Sequence, residues 1–227
     1  MPSDPDLAAR LAQVDAGIAD AARAAGRDPA EVTRIVVTKF HPAALVRDLA
    51  ELGVRDVGEN RHQEAQAKAA ETSDLDVRWH FVGQLQSNKA RAVRAYAHAV
   101  HSLDRPSVID AIASDDGREI EGFLQIDLSG SPGRGGADPA DAERLADRVL
   151  AAPGIRLAGV MAVAPLGEDP APAFARLREV SERIRSLAPD ADRISAGMSG
   201  DYAVAIREGA THLRIGTAIT GKRPDAG

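Results

Sequence analysis

The sequence predicts an α/β protein, a single (β/α)8 TIM barrel with an extra helix at its N-terminal end. Short runs of β-branched residues alternate with longer helical patterns, which is typical of successive βαβ units and a parallel sheet. Eight such runs follow the first helix, and they favour a closed barrel, with an open doubly wound sheet as the alternative. With 227 residues, 44% of them hydrophobic, the chain suits one domain over 1–227 with a full core.

The elements can be placed in order from their patterns. Leu7, Leu11, Val14 and Ile18 recur at helical spacing within 1–27, which predicts the extra helix. The predicted strands span 34–39, 55–58, 78–83, 99–103, 122–127, 157–163, 193–196 and 212–217. The predicted helices between them span 43–52, 60–70, 88–96, 107–114, 139–151, 171–187 and 202–208. The Gly-rich stretch 130–136 predicts a mobile loop, and 222–227 a frayed tail.

Composition argues against several function classes. The chain has no cysteine, which excludes disulfides, thiolate nucleophiles and cysteine metal sites. A net charge of -6 and 3% aromatic residues argue against a nucleic-acid partner. Neither a lipid-binding face nor a signal peptide is evident, so we expect no membrane partner and a cytoplasmic location. His98 and His101 are predicted to flank a helix end and a strand without a carboxylate cluster, so no metal is expected.

The first predicted strand ends in an unusual residue, Lys39 of the run IVVTK. Ligands of (β/α)8 barrels bind at the C-terminal ends of the strands, so a polar residue there is a candidate site residue. An ammonium group at the end of an apolar strand is costly unless it is paired or made neutral, and a neutral lysine is a nucleophile. The alternative is that Lys39 extends to solvent at the barrel rim.

Two motifs of small residues follow the seventh and eighth strands and together predict a phosphate-binding cup. SAGMSGD places Ser199 and Gly200 just before a predicted helix, whose start can hold a phosphate together with backbone N–H groups and the Ser199 hydroxyl. Gly216 and Thr217 of RIGTAITG can add donors, and barrels often bind phosphate with these two loops. The alternative is an ordinary N-cap at Ser199 or Asp201 and a packing glycine at Gly216.

Barrel closure would place Lys39 next to this cup, and that juxtaposition fits pyridoxal 5'-phosphate (PLP). The aldehyde and phosphate-bearing carbons of PLP are neighbours on its ring, so the Schiff-base lysine and the phosphate donors must also be neighbours. Arg214 lies two residues before Gly216, on the same strand face, and can reach the ring nitrogen opposite the aldehyde. An arginine there keeps that nitrogen unprotonated. The alternative is that Arg214 pairs with a carboxylate inside the barrel.

Other polar residues near strand ends are ambiguous. Asn60 follows the second strand and either donates to a cofactor oxygen or caps the next helix. We interpret His80, within RWHFVG, as a core histidine with hydrogen-bond partners. Ser87 and Asn88 indicate a helix start.

The motifs taken together resemble those of the pyridoxal phosphate homeostasis proteins over nearly the whole chain. In order they are VVTKFHP, VGENRHQE, WHFVGQLQSNK, HSLDR, GVMAV, SAGMSGD and EGATHLRIGTAITG. The resemblance implies a monomeric barrel like the N-terminal domain of bacterial alanine racemase, with PLP linked to Lys39. It also implies a role in PLP homeostasis, with PLP and related B6 vitamers as ligands and apo PLP enzymes as candidate partners.

The resemblance also assigns roles to individual residues. It links PLP to Lys39 and places Arg214 at the ring nitrogen. The phosphate is assigned to Ser199, Gly216 and Thr217, and the pocket walls to Asn60 and Met161. The family usually has methionine where Ala196 stands, phenylalanine where Thr220 stands, and a serine-lysine pair near Thr38 and Lys39. None of these departures removes a required group, but Arg134 stands in a loop where the family commonly has a lysine.

The sequence favours a PLP-binding homeostasis protein without established turnover, with a PLP-dependent amino-acid racemase as the alternative. Racemisation needs a base on each side of the substrate carbon, and Lys39 supplies one. In alanine racemase the other is a tyrosine from a second domain of the partner subunit, which this chain is expected to lack. Tyr96 and Tyr202 are predicted to lie on helices. A Schiff-base aldolase on a sugar phosphate would use the same lysine and cup but has no role for Arg214.

Overall fold

The fold is set by how the alternating strands pair. The computed structural model describes residues 4–129 and 135–222. The strands are β1 (Thr33–Val37), β2 (Asp56–Glu59), β3 (Arg78–Phe81), β4 (Ala99–Leu103), β5 (Ile120–Gln125), β6 (Ile155–Met161), β7 (Arg193–Ser195) and β8 (His212–Ile215). Each described strand pairs in parallel with the next, and β8 pairs with β1, which closes the barrel. The predicted closed barrel is confirmed, and the open-sheet alternative is wrong.

Helices connect the strands and cover the outside of the barrel. They are α1 (Leu7–Ala24), α2 (Ala43–Glu51), α3 (His62–Glu71), α4 (Ala90–Arg94), α5 (Pro106–Ile112), α6 (Ala142–Leu150), α7 (Pro170–Leu187), α8 (Tyr202–Arg207) and α9 (Thr217–Thr220). Further 3-10 turns occur at Pro29–Glu31, Ser87–Lys89 and Pro139–Asp141. No helix within the described ranges combines the length and apolar character of a membrane span.

Several predicted boundaries differ from the observed ones. The helix predicted over 88–96 is a 3-10 turn followed by the short α4. The helix predicted from Asn60 begins at His62, because Arg61 has extended backbone (φ -117°, ψ 125°) and occupies the N-cap position. Most of the predicted loop over 130–136, including Arg134, and most of the predicted tail over 222–227 lie outside the described residues.

The pairing of β1 with β8 brings the two ends of the barrel sheet together. Ile35 lies opposite Arg214, and Val36 lies opposite Ile215. Because the strands are parallel, their C-terminal ends meet at one end of the barrel. Lys39, two residues beyond β1, therefore lies at the same end as Gly216, the residue after β8.

The predicted N-terminal helix is present and supports the elements that follow β7 and β8. The apolar stripe of α1 is buried, and the helix contacts α8 and α9. Arg10 Nε donates to the Ile219 carbonyl in α9 at 2.8 Å. Just beyond α1, Arg27 Nη1 donates to the carbonyls of Ile206 (3.0 Å) and Ala210 (2.7 Å), which lie at and after the end of α8. These contacts tie α1 and the residues after it to the segments that follow β7 and β8.

Polar side chains occupy part of the barrel interior. His80, His101, Ser195 and Arg214 are buried there and hydrogen-bonded to one another in series. Beside them lies a small apolar cluster of Ala99, Phe123, Ala158 and Met161. The prediction that His80 is a core histidine with hydrogen-bond partners is confirmed.

A glycine in β6 permits close packing against β7. Gly159 has φ +148°, and a Cβ at this position would lie 1.8 Å from the Arg193 carbonyl oxygen. We expect Gly159→Ala to lower the free energy of unfolding by about 3 kcal/mol, because it adds backbone strain to overpacking.

Gly167→Ala is the matched control for this prediction. Gly167 also has a positive φ (+80°), but a Cβ there meets nothing within 4 Å, so a cost of about 1 kcal/mol is expected. Urea unfolding of both variants measures the difference. Equal costs would contradict the packing role of Gly159.

Candidate functional site

A cavity of about 330 Å³ opens at the C-terminal ends of the strands. Its lining residues come from the ends of β1, β2, β3, β6 and β8 and from the loops after β7 and β8: Val37, Lys39, Asn60, Val82, Val163, Met198, Ser199, Gly200, Arg214, Gly216 and Thr217. The structure therefore brings together all the residues that the sequence selected for this site except Met161.

Met161 lies deeper in the barrel than expected. It is the last residue of β6, is 2% exposed, and belongs to the interior apolar cluster with Phe123. Side chains alternate along an extended segment, so Met161 and Val163 face the same side. Val163 is nearer the mouth and forms the cavity wall at this point, so the expectation that Met161 lines the pocket is corrected.

Lys39 is exposed at the rim and lines the cavity. Its side chain forms no ion pair with a described residue, and its Nζ lies 5.8 Å from the centroid of the Phe40 ring. The sequence argument that an ammonium group here would be costly does not apply, because the side chain remains open to solvent. The sequence left two alternatives for Lys39, a place in the binding site or exposure at the barrel rim. In the structure Lys39 has both, since its side chain is exposed and also lines the cavity.

The backbone beside Lys39 is held in an uncommon conformation. Phe40 has a positive φ of +69°. Among the non-glycine residues of the described ranges, it alone has a positive φ. Such a conformation costs about 1–3 kcal/mol and persists where the surroundings over-determine it. The Phe40 N–H donates to Glu64 Oε2 at 3.1 Å, and the Arg61 guanidinium lies 5.4 Å from the ring centroid.

The residue on the other side of Lys39 is fixed by a buried ion pair. Lys68 Nζ donates to Glu59 Oε1 at 2.5 Å and to the Thr38 carbonyl at 2.9 Å. Thr38 Oγ1 donates to the same Glu59 oxygen at 2.9 Å, and all three side chains are buried. Removing one partner would leave a buried charge without compensation, which is strongly destabilising. Because Lys68 and Glu59 also bind the carbonyl and hydroxyl of Thr38, this ion pair holds the end of β1 in place. No sequence signal indicates this role of Lys68, since the residue lies within an ordinary helical pattern.

The loops after β7 and β8, where the sequence predicts a phosphate-binding cup, both line the cavity. In the first, Asp201 Oδ1 accepts from the Met198 N–H at 2.6 Å, which shapes the turn that carries Ser199 and Gly200. In the second, Gly216 occupies the N-cap position of α9, which begins at Thr217. Both following helices are short, so the candidate anion donors here are loop N–H groups and hydroxyls rather than a helix macrodipole.

Arg214 lies almost completely buried beneath the cavity. Its Nη1 donates to Ser195 Oγ at 2.6 Å, and its Nη2 donates to the Ala162 carbonyl at 2.8 Å. Within the described ranges it forms no ion pair, so the alternative of a barrel carboxylate partner is not observed. Burial lowers the pKa of Arg214 to about 10, although the charge of Asp201 acts to raise it. The guanidinium group therefore stays charged at neutral pH.

Other candidate groups lie away from this cavity. His98 contacts Glu121 at 3.6 Å, whereas His101 bonds to His80, so the two histidines do not converge. The described residues contain no cluster of three side chains suited to a metal ion. Tyr202 begins α8 and Tyr96 follows α4, and neither is among the described lining residues.

Comparisons with known proteins agree with this geometry. Residues 11–224 match the family model of the alanine racemase N-terminal domain. A pyridoxal phosphate homeostasis protein from Pseudomonas aeruginosa is 43% identical over 223 residues, covering 96% of each chain. The solved structure of PipY from Synechococcus elongatus PCC7942, with PLP bound, is similar with a TM-score of 0.82 and 36% identity, covering 95% of this chain and 100% of that chain.

A more distant similarity concerns the fold alone. Alanine racemase from Streptomyces coelicolor A3(2) is 22% identical with a TM-score of 0.73, covering 95% of this chain and 58% of the racemase. The family match and the closer relatives each span nearly the whole described barrel, and they confirm the resemblance inferred from the motifs. The chain therefore belongs to the family of pyridoxal phosphate homeostasis proteins, within the alanine racemase N-terminal domain fold.

Proposed function

We propose that this protein binds PLP through a Schiff base on Lys39 and serves in PLP homeostasis without catalytic turnover. The observation that carries the proposal is one cavity that combines an amine without an ion-pair partner, a charged arginine and a cup of small residues. PLP bears a reactive aldehyde, a phosphate and a ring nitrogen, and each of these groups has a counterpart in the cavity.

The space in the cavity fits such a ligand. A volume of about 330 Å³ lies within the usual range for small-molecule pockets. A Cβ added at Gly200 would meet nothing within 4 Å, and one at Gly216 would first meet the Val37 carbonyl oxygen at 3.7 Å. The cup is therefore open on its glycine faces, and its volume is available to a phosphate rather than filled by packing.

Each lining residue has a chemical task in this proposal. The hydroxyls of Ser199 and Thr217, with the N–H groups near Gly200 and Gly216, hold the phosphate. Asn60, which does not cap α3, donates to an oxygen on the ring. Arg214 presents N–H donors to the ring nitrogen and leaves it unprotonated, because a charged guanidinium has no acceptor. An unprotonated ring withdraws electrons weakly, which disfavours amino-acid chemistry.

The racemase alternative has less support from the cavity. Racemisation needs a second general base opposite Lys39. The titratable lining residues within the described part of the chain are Lys39 and Arg214, and Arg214 is charged. A binding protein that takes up and releases the aldehyde needs only the lysine and the cup. Delivery to apo PLP enzymes, a monomeric state, a single-domain organisation and a cytoplasmic location remain predictions of this proposal.

Borohydride reduction tests the role of Lys39. Reduction of the PLP-loaded protein should fix a phosphopyridoxyl group on Lys39, because this amine opens into the cavity without an acidic partner. Peptide mass mapping identifies the modified residue, and Lys39→Ala should abolish the visible absorption band while the far-ultraviolet circular dichroism is retained. Lys89→Ala is the control and should keep both properties. Labelling solely at Lys68, Lys89 or Lys222 would refute the assignment.

A second prediction concerns the phosphate cup. Pyridoxal should bind much more weakly than PLP, because the donors of the two loops contact only the phosphate. Ser199→Ala should raise the dissociation constant of PLP by roughly three- to tenfold, the value of one hydrogen bond. Gly216→Leu should abolish binding by filling the cup.

Equilibrium titration followed by absorbance measures these changes. Ser107→Ala, an exposed serine in α5, serves as the control and should leave the affinity unchanged. Equal affinities for pyridoxal and PLP would show that the cup does not bind phosphate.

A third prediction concerns the absence of turnover. When the PLP-loaded protein is incubated with L-alanine in deuterated water, exchange at Cα and racemisation should stay near the rates with free PLP, because a second base is missing. Proton NMR follows the exchange, with Lys39→Ala as the control. A Lys39-dependent rate more than about a thousandfold above free PLP is in the range of general-base catalysis and would favour the racemase alternative.

A further inference from the structure

Hydrogen-bonded polar side chains cross the barrel interior from the cavity toward its opposite end. Arg214 Nη1 donates to Ser195 Oγ at 2.6 Å, and that oxygen lies 2.8 Å from His101 Nδ1. His101 Nε2 lies 3.0 Å from His80 Nδ1, and His80 Nε2 lies 2.9 Å from Asp56 Oδ1. We call these five residues the polar column.

The two ends of the polar column lie at two different openings of the barrel. Arg214 lines the candidate PLP cavity. Asp56 and His80 line a second cavity of about 480 Å³ at the N-terminal ends of the strands. Asp56 also accepts from Arg78 Nη2 at 2.6 Å. The column therefore has a cation at the cofactor end and a carboxylate at the far end.

Both histidines of the column are neutral at physiological pH. Burial lowers the pKa of His101 well below its usual range, and the neighbouring His80 and Arg214 lower it further. Burial also lowers the pKa of His80, against the opposing effect of Asp56, with smaller effects from His98 and Glu121. Burial acts against the charged form of Asp56, but hydrogen bonds from His80 and Arg78 outweigh it and lower the pKa of the carboxyl group.

These charge states allow only one arrangement of the protons. The Asp56 carboxylate can only accept, so His80 carries its proton on Nε2 and accepts at Nδ1. His101 must then donate from Nε2 and accept at Nδ1 from the Ser195 hydroxyl. The Ser195 oxygen in turn accepts from Arg214. Every donor along the column thus points from the cofactor end toward Asp56.

We propose that the polar column positions Arg214, orienting its remaining N–H donors toward the cofactor ring. One N–H of Arg214 Nη1 is bound by Ser195 Oγ, and one N–H of Nη2 is bound by the Ala162 carbonyl. These two hydrogen bonds fix the plane of the guanidinium group and leave its other N–H donors for the cavity. His101, His80 and Asp56 do not line the PLP cavity within the described ranges, so they act through Ser195. The cofactor part of this inference rests on the proposed PLP function, whereas the proton arrangement does not.

Nitrogen-15 NMR of the histidine side chains tests the proton arrangement without any cofactor. In the full-length apo protein, long-range nitrogen–proton correlations should show His80 and His101 as neutral rings protonated on Nε2 from about pH 7 to 8, above the ordinary histidine pKa. Observation of either ring protonated on Nδ1, or doubly protonated at neutral pH, would overturn the inference.

A pair of serine variants tests the coupling to Arg214. Ser195→Ala removes the link between His101 and Arg214. Ser102→Ala is the matched control, because Ser102 is equally buried, adjoins His101 on β4, and has a hydroxyl without a hydrogen-bond partner in the described structure. Ser195→Ala should shift the Nδ1 resonance of His101, and Ser102→Ala should not.

The same variants loaded with PLP give the second measurement. Ser195→Ala should raise the dissociation constant about tenfold, in keeping with a lost hydrogen bond to a charged group, and should shift the absorption maximum of the bound cofactor. Ser102→Ala should change the affinity less than about twofold. A purely structural role would not shift the absorption maximum.

The possible outcomes separate the two proposals. If the wild-type protein fails to bind PLP, the proposed function is wrong, and the apo NMR spectra still decide the proton arrangement. If PLP binds and the two serine variants show the same affinity and spectrum, the positioning role of the column is wrong and the proposed function stands.

Discussion

Pairing of β1 with β8 is the constraint on which the candidate site depends. Lys39 and Arg214 are distant in sequence, and only the closing pair of strands brings the rim after β1 beside the two loops of the cup. The same closure encloses the polar column. Because α1 contacts α8 and α9, the N-terminal helix supports the segments that immediately follow the cup. The site is thus a property of the closed barrel rather than of any one motif.

The cavity combines an accessible amine with a rigid backbone. Phe40 keeps a positive φ because Glu64 binds its N–H group, and the buried Glu59–Lys68 pair holds the Thr38 carbonyl and hydroxyl. Because the residues that flank Lys39 are already rigid, less conformational entropy is lost when the Lys39 amine binds a ligand, which favours binding. The exposed rim keeps the amine reachable, as a protein that takes up and releases an aldehyde requires. Within this segment, the backbone of Thr38 and Phe40 provides the preorganisation and the exposed side chain of Lys39 provides the access.

The sequence predicted the order and type of the major elements because hydrophobic periodicity reports local burial. It predicted a helix that begins at Asn60, whereas α3 begins at His62. The error arises because an asparagine that caps a helix and an asparagine that contacts a ligand have the same local signal. The family resemblance also placed Met161 in the pocket wall, whereas Met161 lies in the interior apolar cluster and Val163 lines the cavity. Lys68 shows no signal in the sequence, because a helical lysine that forms a buried ion pair with Glu59 of β2 looks like a solvent-exposed lysine until its partner is known.

By itself, the sequence determined the eight strands with their intervening helices, the family motifs and the chemistry available at the strand ends, because these depend on local pattern and residue type. Only the tertiary structure decided which polar groups meet. The series from Arg214 to Asp56 draws one residue from each of five strands, and its proton arrangement follows from contacts and burial that no sequence spacing encodes. The physical reason is that hydrogen bonds between side chains require distances of about 3 Å, which are fixed by strand register and barrel closure rather than by neighbours along the chain.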